Sequence, residues 1–340
     1  MSFFSTIVGA AEHVPLPDVV IRAVIHELCA RTAARFAIVG TANDAAFAKA
    51  LASRPIAEPA DATSRHTELP ATFFAQVLGP NRKYSCCFYK EPVSTLQEAE
   101  EEALRQTVAN ADLQDGQSIL ELGCGWGSLC LWMARQFPHA QVTAVSNSHL
   151  QRRYIEDEAI ARGLTNLSVV TSDMNLFAPA TRFDRIVSVQ MFEHVMNWRA
   201  LLTQVRAWLA PEGRFFMHVF AHRTGAYLLD RSDRTDWIAQ HFFNCRVIPS
   251  HGLIRQYGDL LAVEKEWRWS GTHCQRTALD WLASFDAHRE RIEAILLPIY
   301  GGETHLWMRR WRWFFLAAAG LSGFDSGNEW GVSHYRMAAV

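Results

Sequence analysis

The chain has 340 residues, 49% of them hydrophobic and 20% charged, with a formal net charge of −2. That balance excludes a disordered chain and supports a full core, with one α/β domain of roughly 200–250 residues plus insertions fitting at least as well as two domains. The near-neutral charge also excludes the global basic field that draws nucleic acid, so no nucleic-acid partner is expected.

In chain order, residues 16–35 read as an amphipathic helix, with Val20, Ile21, Val24, Ile25 and Leu28 in one stripe and Pro17 and Asp18 at its start. A second helix is predicted over Asp44–Ala52, then a polar, Ala/Pro-rich connection over Pro55–Pro70 and an irregular segment at Tyr84–Tyr89. Thr95-Leu96-Gln97-Glu98 is a capping box opening an acidic helix to about Asn110. From Gln117 the pattern alternates. Strands are predicted at Ser118–Leu122, Gln141–Ser146, Leu167–Thr171, Arg185–Val189 and Arg214–Val219, the last after a turn at Pro211-Glu212-Gly213. Helices are predicted from Ser128 to about Phe137, at Leu150–Arg162 and at Trp198–Leu209. Five strands joined by such helices imply a doubly wound, mostly parallel α/β sheet of Rossmann-like type.

Downstream, Leu260–Trp269 and Trp330–Met337 alternate like antiparallel strands, with helices at about Ala278–Leu297 and Thr304–Leu321 between them. A helical insertion there would lie over the carboxyl ends of the sheet, where ligands bind in such folds. The expected division is an N-terminal helical cap (1–115), a Rossmann-like core (116–220) and substrate-covering helices with the last two strands (221–340).

Seven cysteines, at 29, 86, 87, 124, 130, 245 and 274, form no C-x-x-C pair, so neither a metal site nor a disulfide framework is expected. The N-terminus lacks a basic stretch and carries Glu12 and His13, unlike a signal peptide. The longest apolar run, near Trp313–Leu321, is about half a bilayer span, so the expected setting is cytoplasmic. Twelve tryptophans, most after residue 195, suggest a core or an apolar substrate cavity. The segment Leu306–Trp313 interleaves bases and aromatics. Read as a helix, it puts Trp307, Trp311, Phe314, Phe315 and Ala318 on one face and Arg309 and Arg312 on another, which favours core or cavity lining with a solvated basic edge over membrane or nucleic-acid contact.

The chemistry-bearing pattern begins directly after the first core strand, at Glu121-Leu122-Gly123-Cys124-Gly125-Trp126-Gly127. Glycines let the backbone approach a ligand at positive φ while the next helix offers free N–H groups. A dinucleotide loop wants G-x-G-x-x-G, and Ser128 stands where its last glycine belongs. The acidic-x-G-x-G-x-G form instead points to S-adenosyl-L-methionine (SAM), whose ammonium suits a glutamate; nicotinamide binding or a structural loop are the alternatives. Asn147, with Gln151 one turn on, ends the second strand where ribose hydroxyls would be read, or else caps a helix. Asp173 and Met174 follow the third strand, placed for an adenine amino group and ring. After the fourth strand, Gln190-Met191-Phe192-Glu193-His194 stands where a methyl acceptor would lie; Glu193 and His194 could accept a proton or orient a nucleophile, or fix the next helix.

These motifs together resemble the cyclopropane-fatty-acid-synthase superfamily, most of all its branch of plant alkaloid N-methyltransferases of coclaurine N-methyltransferase type. The likeness rests on K-Y-S-C at Lys83–Cys86, L-E-L-G-C-G-W-G-S at Leu120–Ser128, T-A-V-S-N-S-x-x-Q at Thr143–Gln151 and M-F-E-H at Met191–His194. D-x-x-D-W-I at Asp233–Ile238, W-R-x-F-F at Trp311–Phe315 and G-x-E-W at Gly327–Trp330 extend it. The resemblance implies a SAM-dependent methyltransferase acting on a small molecule, most readily the nitrogen of an apolar or aromatic amine, with lipid methylation or cyclopropanation, or S-, O- or C-methylation, as alternatives. Tyr84, Ser85, Glu121, Gly123, Gly125, Gly127, Asn147, Gln151, Asp173 and Met174 would hold SAM, and Gln190, Glu193 and His194 would face the acceptor. Two departures stand out. The alkaloid enzymes usually carry glutamate where this chain has Gln190, which puts a cationic alkaloid acceptor in doubt. Cyclopropane synthases have a bicarbonate pocket whose tyrosine is replaced by Cys274, although His218 is present, which argues against cyclopropanation.

Overall fold

The computed structural model describes residue 12 and residues 16–57, 69–229, 236–242 and 246–340. Among the described residues, the helices that precede the sheet are α1 (Asp18–Val39), α2 (Asp44–Leu51), α3 (Ala71–Val77) and α4 (Leu96–Ala111). Helix α1 starts behind Pro17 with Asp18 in its first turn, where free N–H groups favour a carboxylate. Its buried positions are Ile21, Cys29 and Phe36, whereas Val20, expected in the stripe, is exposed. Helix α4 starts in the expected capping box, Thr95 and Glu98 bonding each other's backbone N–H. Tyr84–Tyr89 is irregular, as expected; most of the Pro55–Pro70 connection lies outside the described residues.

The core then alternates β1 (Ser118–Leu122), α5 (Ser128–Gln136), β2 (Gln141–Ser146), α6 (His149–Ala161), β3 (Leu167–Thr171), β4 (Phe183–Val189), α7 (Trp198–Trp208) and β5 (Leu209–His222). Strand β1 is buried over Ile119–Leu122, the near-continuous apolar run of a strand covered on both faces. Helix α7 buries Trp198, Leu201, Leu202, Val205 and Trp208, a stripe at helical spacing. The predicted turn at 211–213 survives as a bulge inside β5: Phe183 pairs with Leu209 but Arg185 pairs with Arg214, and Glu212 has φ 62°.

The chain continues through β6 (Tyr227–Leu229), α8 (Trp237–His241), β7 (Arg246–Ile248) and β8 (Leu261–Ser270). It ends with α9 (Gly271–Ala287), α10 (Arg289–Tyr300), α11 (Thr304–Gly323) and β9 (Trp330–Ala339). The seven-stranded sheet has the order β3-β2-β1-β4-β5-β9-β8, with β1–β5 parallel and β9 antiparallel to both β5 and β8. The order reverses between β1 and β4, which opens a crevice at their carboxyl ends.

Two expectations are corrected here. The single helix predicted over 278–297 is two, because the chain turns at His288, whose Nδ1 lies 2.9 Å from the Gln76 carbonyl oxygen. The antiparallel pair β6–β7, with Tyr227 opposite Ile248, was not foreseen. Of the expected basic edge of α11, Arg312 binds Asp18 and Asp286, while Arg309 Nε is buried without a hydrogen-bond partner; the neighbouring Arg310 lies 2.7 Å from Glu12. Trp307, Trp311, Phe314 and Phe315 are buried in one core cluster, as expected of a core or lining helix. No helix among the described residues is long and apolar enough to cross a membrane, and none of them forms a His/Cys/Asp/Glu group fit for a metal.

Candidate active site

Where β1 ends, the chain turns sharply through Gly123 (φ 76°), Gly125 (φ 52°) and Gly127 (φ 81°). These angles favour glycine, and at Gly123 and Gly127 space demands it too. A Cβ on Gly123 would lie 2.4 Å from Met191 Cγ, and one on Gly127 2.6 Å from Ile155 Cγ1. Gly123 and Gly125 line a cavity of about 680 Å³ over the carboxyl ends of the sheet; Gly127 is off its wall and serves the packing of α5 on α6. Trp126, on the same turn, is fixed between Phe74 at 5.0 Å and Tyr154 at 5.5 Å.

The strand ends supply the polar side of the cavity. Glu121, Asn147, Gln151, Asp173 and Met174 all line it, as do Tyr84 and Ser85. Gln151 Oε1 accepts from Ser146 Oγ at 2.6 Å. The cap of α6 is Ser148 rather than Asn147, so the capping alternative for Asn147 falls. Asp173 Oδ1 accepts both the backbone and side-chain N–H of Asn175 at 2.8 Å, and Asn175 in turn holds Ile56 and Ala57. Lys83 Nζ donates to Ser85 Oγ at 2.5 Å and to the Cys86 carbonyl at 2.8 Å, pinning this segment across the cavity.

Among the buried atoms here without a hydrogen-bond partner are Glu121 Oε2, Tyr84 Oη and Ser128 Oγ. Burial pushes the Glu121 carboxyl up to about 8. A buried acceptor and two buried hydroxyls left unpaired cost free energy until a polar ligand meets them. The amino-acid and ribose groups of SAM carry the donors and acceptors that such a wall needs.

After β4 the three expected acceptor-side residues part company. Gln190 sits at φ 49°, and its Oε1 accepts the Cys86 N–H at 3.2 Å, so it ties the Tyr84–Tyr89 segment to the strand end while lining the cavity. His194 is on the cavity wall. Glu193 is fully buried and off it; its Oε1 accepts the Phe220 N–H at 2.7 Å and lies 4.0 Å from Arg246 Nη2. Burial raises the Glu193 carboxyl, and the Arg246 guanidinium pulls it back down.

The opposite wall is apolar: Phe220 from β5, Leu229 and Ile248 from the β6–β7 pair, Ile238 and Phe242 around α8, Trp281 from α9, and Phe314 and Leu321 from α11. Phe242 stacks on Phe314 at 4.6 Å. The insertion between β8 and β9 therefore covers the strand ends, as expected. Cys274 lines this wall as well; His218 lies beneath it, fully buried, with both ring nitrogens unpartnered. Of D-x-x-D-W-I, Asp233 and Arg234 lie outside the described residues, while Asp236 caps α8. Arg246 on the cavity wall escaped sequence reasoning. Its only signal was a lone base in the apolar run Arg246-Val247-Ile248.

A glycine turn at the switch point of such a sheet, with polar strand ends on one side and a covered apolar chamber on the other, defines a class I SAM-dependent methyltransferase. Comparison with known proteins agrees. The mycolic acid cyclopropane synthetase family matches residues 56–319. The (S)-coclaurine N-methyltransferase of Thalictrum flavum subsp. glaucum is 35% identical over 272 residues, 78% of this chain and 75% of that one. The crystal structure of a coclaurine N-methyltransferase bound to N-methylheliamine and SAH (S-adenosylhomocysteine) matches with a TM-score of 0.88, 31% identity and 95% of both chains. The cyclopropane synthase MmaA2 of Mycobacterium tuberculosis, 20% identical over 83% of this chain and 99% of that one with a TM-score of 0.70, shares the fold. The chain belongs to the mycolic acid cyclopropane synthetase family. Within it, the chain is a SAM-dependent methyltransferase.

Proposed function

We propose that the acceptor is a small apolar or aromatic amine, lodged in the chamber between Phe220, Trp281 and Phe314, with its nitrogen beside His194. The observation that carries this reading is the position of His194, on the cavity wall just after β4, the strand between β1 with its glycine turn and β5 with Phe220. In this reading Tyr84, Ser85, Glu121, Gly123, Gly125, Asn147, Gln151, Asp173 and Met174 hold SAM, and Gly127 only shapes the turn. SAM, when bound, supplies an electrophilic methyl group on sulfur. His194 takes the proton that the amine nitrogen must lose, Glu193 acts through the chain it anchors at Phe220, and Gln190 keeps the Tyr84–Ser85 segment closed. The apolar walls hold the amine in line, which is worth roughly 7–11 kcal/mol of barrier where alignment is good. The chain then works in three parts, residues 1–115 and 221–340 covering the 116–220 core. A cytoplasmic setting fits the six buried free thiols among the described residues.

Incubation with labelled SAM and a panel of aromatic amines, thiols and fatty-acyl lipids tests the reading. Label should pass to amines. Transfer confined to thiols or to acyl chains would replace it.

A further inference from the structure

Lys83 brings a buried cation to the cofactor side of the cavity. The residue is 2% exposed and lines the wall, and its Nζ donates to Ser85 Oγ at 2.5 Å and to the Cys86 carbonyl oxygen at 2.8 Å. Both partners are neutral. Among the described residues no carboxylate is bonded to this ammonium; Glu100 and Glu121 feel its charge through space, but burial outweighs it and raises both carboxyls. Buried charges are normally paired, so an ammonium held by neutral oxygens is costly unless a ligand brings the anion.

The fold does not need the charge. The segment that carries it is already laced to its surroundings: Glu100 Oε2 accepts the Asn81 N–H at 2.9 Å, and Gln190 Oε1 the Cys86 N–H at 3.2 Å. Thr277 Oγ1 accepts the Cys87 N–H and His273 Nδ1 the Tyr89 N–H, both at 3.1 Å. What the ammonium does fix is the direction of one hydroxyl. A serine hydroxyl has a single hydrogen and accepts through its lone pairs. Because Ser85 Oγ accepts from Lys83, its hydrogen turns away from the cation, and Ser85 lines the cavity beside Tyr84.

We propose that Lys83 is a positioning residue for the cofactor: acting through Ser85, it presents an O–H donor backed by a buried positive charge to the carboxylate of the SAM amino-acid group, while Glu121 meets the ammonium. The proposal rests on the placement of Ser85 at SAM. It goes further in making a neighbour that need not touch the ligand set the affinity for one of its groups. A charge-backed hydrogen bond of this kind is worth about 10–100-fold in affinity.

The test is binding, read on two ligands. Full-length enzyme is titrated calorimetrically with SAH and with decarboxylated SAH, which keeps the adenosine, the sulfur and the amine and lacks only the carboxylate. The wild type should bind SAH at least about tenfold tighter. Lys83→Met and Ser85→Ala should each bring the two ligands within about threefold by weakening SAH alone. The double variant should lose no more than either single variant, since one residue works through the other. Lys83→Arg, which keeps the charge, should keep part of the preference. If Lys83→Met does not fold, Lys83→Gln, which retains an N–H donor without the charge, decides in its place. A Lys83 variant that weakens both ligands equally shows the ammonium merely ordering its segment and overturns the proposal. A preference lost in Ser85→Ala but kept without Lys83 also overturns it, and leaves Ser85 at the cofactor. A wild type with no preference takes Ser85 off the carboxylate as well.

Discussion

The cofactor half of the cavity and the acceptor half are built in different ways. The first is a set of strand ends: β1, β2 and β3 each stop at the same sheet edge, and the residues that follow, from Gly123, Asn147 and Asp173 onward, are delivered there by the sheet itself. The second is assembled from β5, the small β6–β7 pair, α8, α9 and α11, more than 90 residues of chain folded back over the sheet, held by aromatic contacts such as Phe242 on Phe314. A backbone-built half tolerates little change of residue type. A side-chain-built half can be relined without touching the fold, which is how one scaffold accepts different substrates.

Substitution of His194, on the cavity wall just after β4, should separate them most sharply. His194→Ala is expected to lower kcat/KM by about 10²–10⁴-fold while SAH binds as before, because only the proton acceptor is removed. Steady-state rates beside SAH calorimetry read both quantities, and unchanged turnover would take His194 out of the chemistry. On the cofactor side, Asp173→Ala should weaken SAM binding by about 10–100-fold, the cost of removing a charged acceptor. Asp173 also holds Asn175, so Asn175→Ala is the matching control. If the control loses as much affinity, Asp173 acts by ordering the 56–57 loop rather than by touching the cofactor.

The same contrast explains what the sequence could show. Strands β1, β2 and β3 were legible to the residue, since each is a short apolar run that repeats in register with its neighbour, and the acidic-glycine turn followed from spacing alone. The acceptor half was legible as an excess of aromatics and a helical insertion over the strand ends, but not residue by residue. Whether Glu193 faces the cavity or the backbone of Phe220 depends on β5, some 27 residues away. Arg246 reaches the wall only because three residues of β7 pair with β6, too short a run to leave a period. The break at His288 answers to a carbonyl on Gln76. Such features are set by neighbours distant in sequence, and no local pattern carries them.

The acceptor half has an acid-sensitive clamp. Glu12 is buried against α8 and α11, accepting from Trp237 Nε1, His241 at 2.9 Å and Arg310 at 2.7 Å. Burial alone would raise its carboxyl; His241, Arg310 and Trp237 together outweigh it and hold it at about 2. A depressed carboxyl stabilises the fold above its unfolded value near 4.5, and that contribution fades as pH falls toward 2. Glu12→Gln should therefore cost about 1–3 kcal/mol at pH 7 and progressively less at pH 4 and 3. Urea unfolding of both proteins at these pH values measures the gap, and a gap that does not narrow in acid would mean Glu12 is not the titrating group.

The finest test falls on the cofactor half, where the sign is opposite. Burial holds the Glu121 carboxyl near 8, so the unliganded protein keeps its proton through neutral pH while the unfolded chain has lost it above about 4.5. Stability of the unliganded enzyme should then decline as pH rises from 4.5 to 8. An ammonium group arriving beside Glu121 favours the carboxylate, so SAH binding should expel a fraction of a proton at pH 7 and tighten as pH approaches 8. Calorimetry of SAH binding at pH 7 in buffers of different ionisation heat counts that proton, and Glu121→Gln should remove it while leaving a weaker binding that ignores pH over this range. Proton release that persists in Glu121→Gln would move the titrating group elsewhere on the wall, and with it the seat of the ammonium.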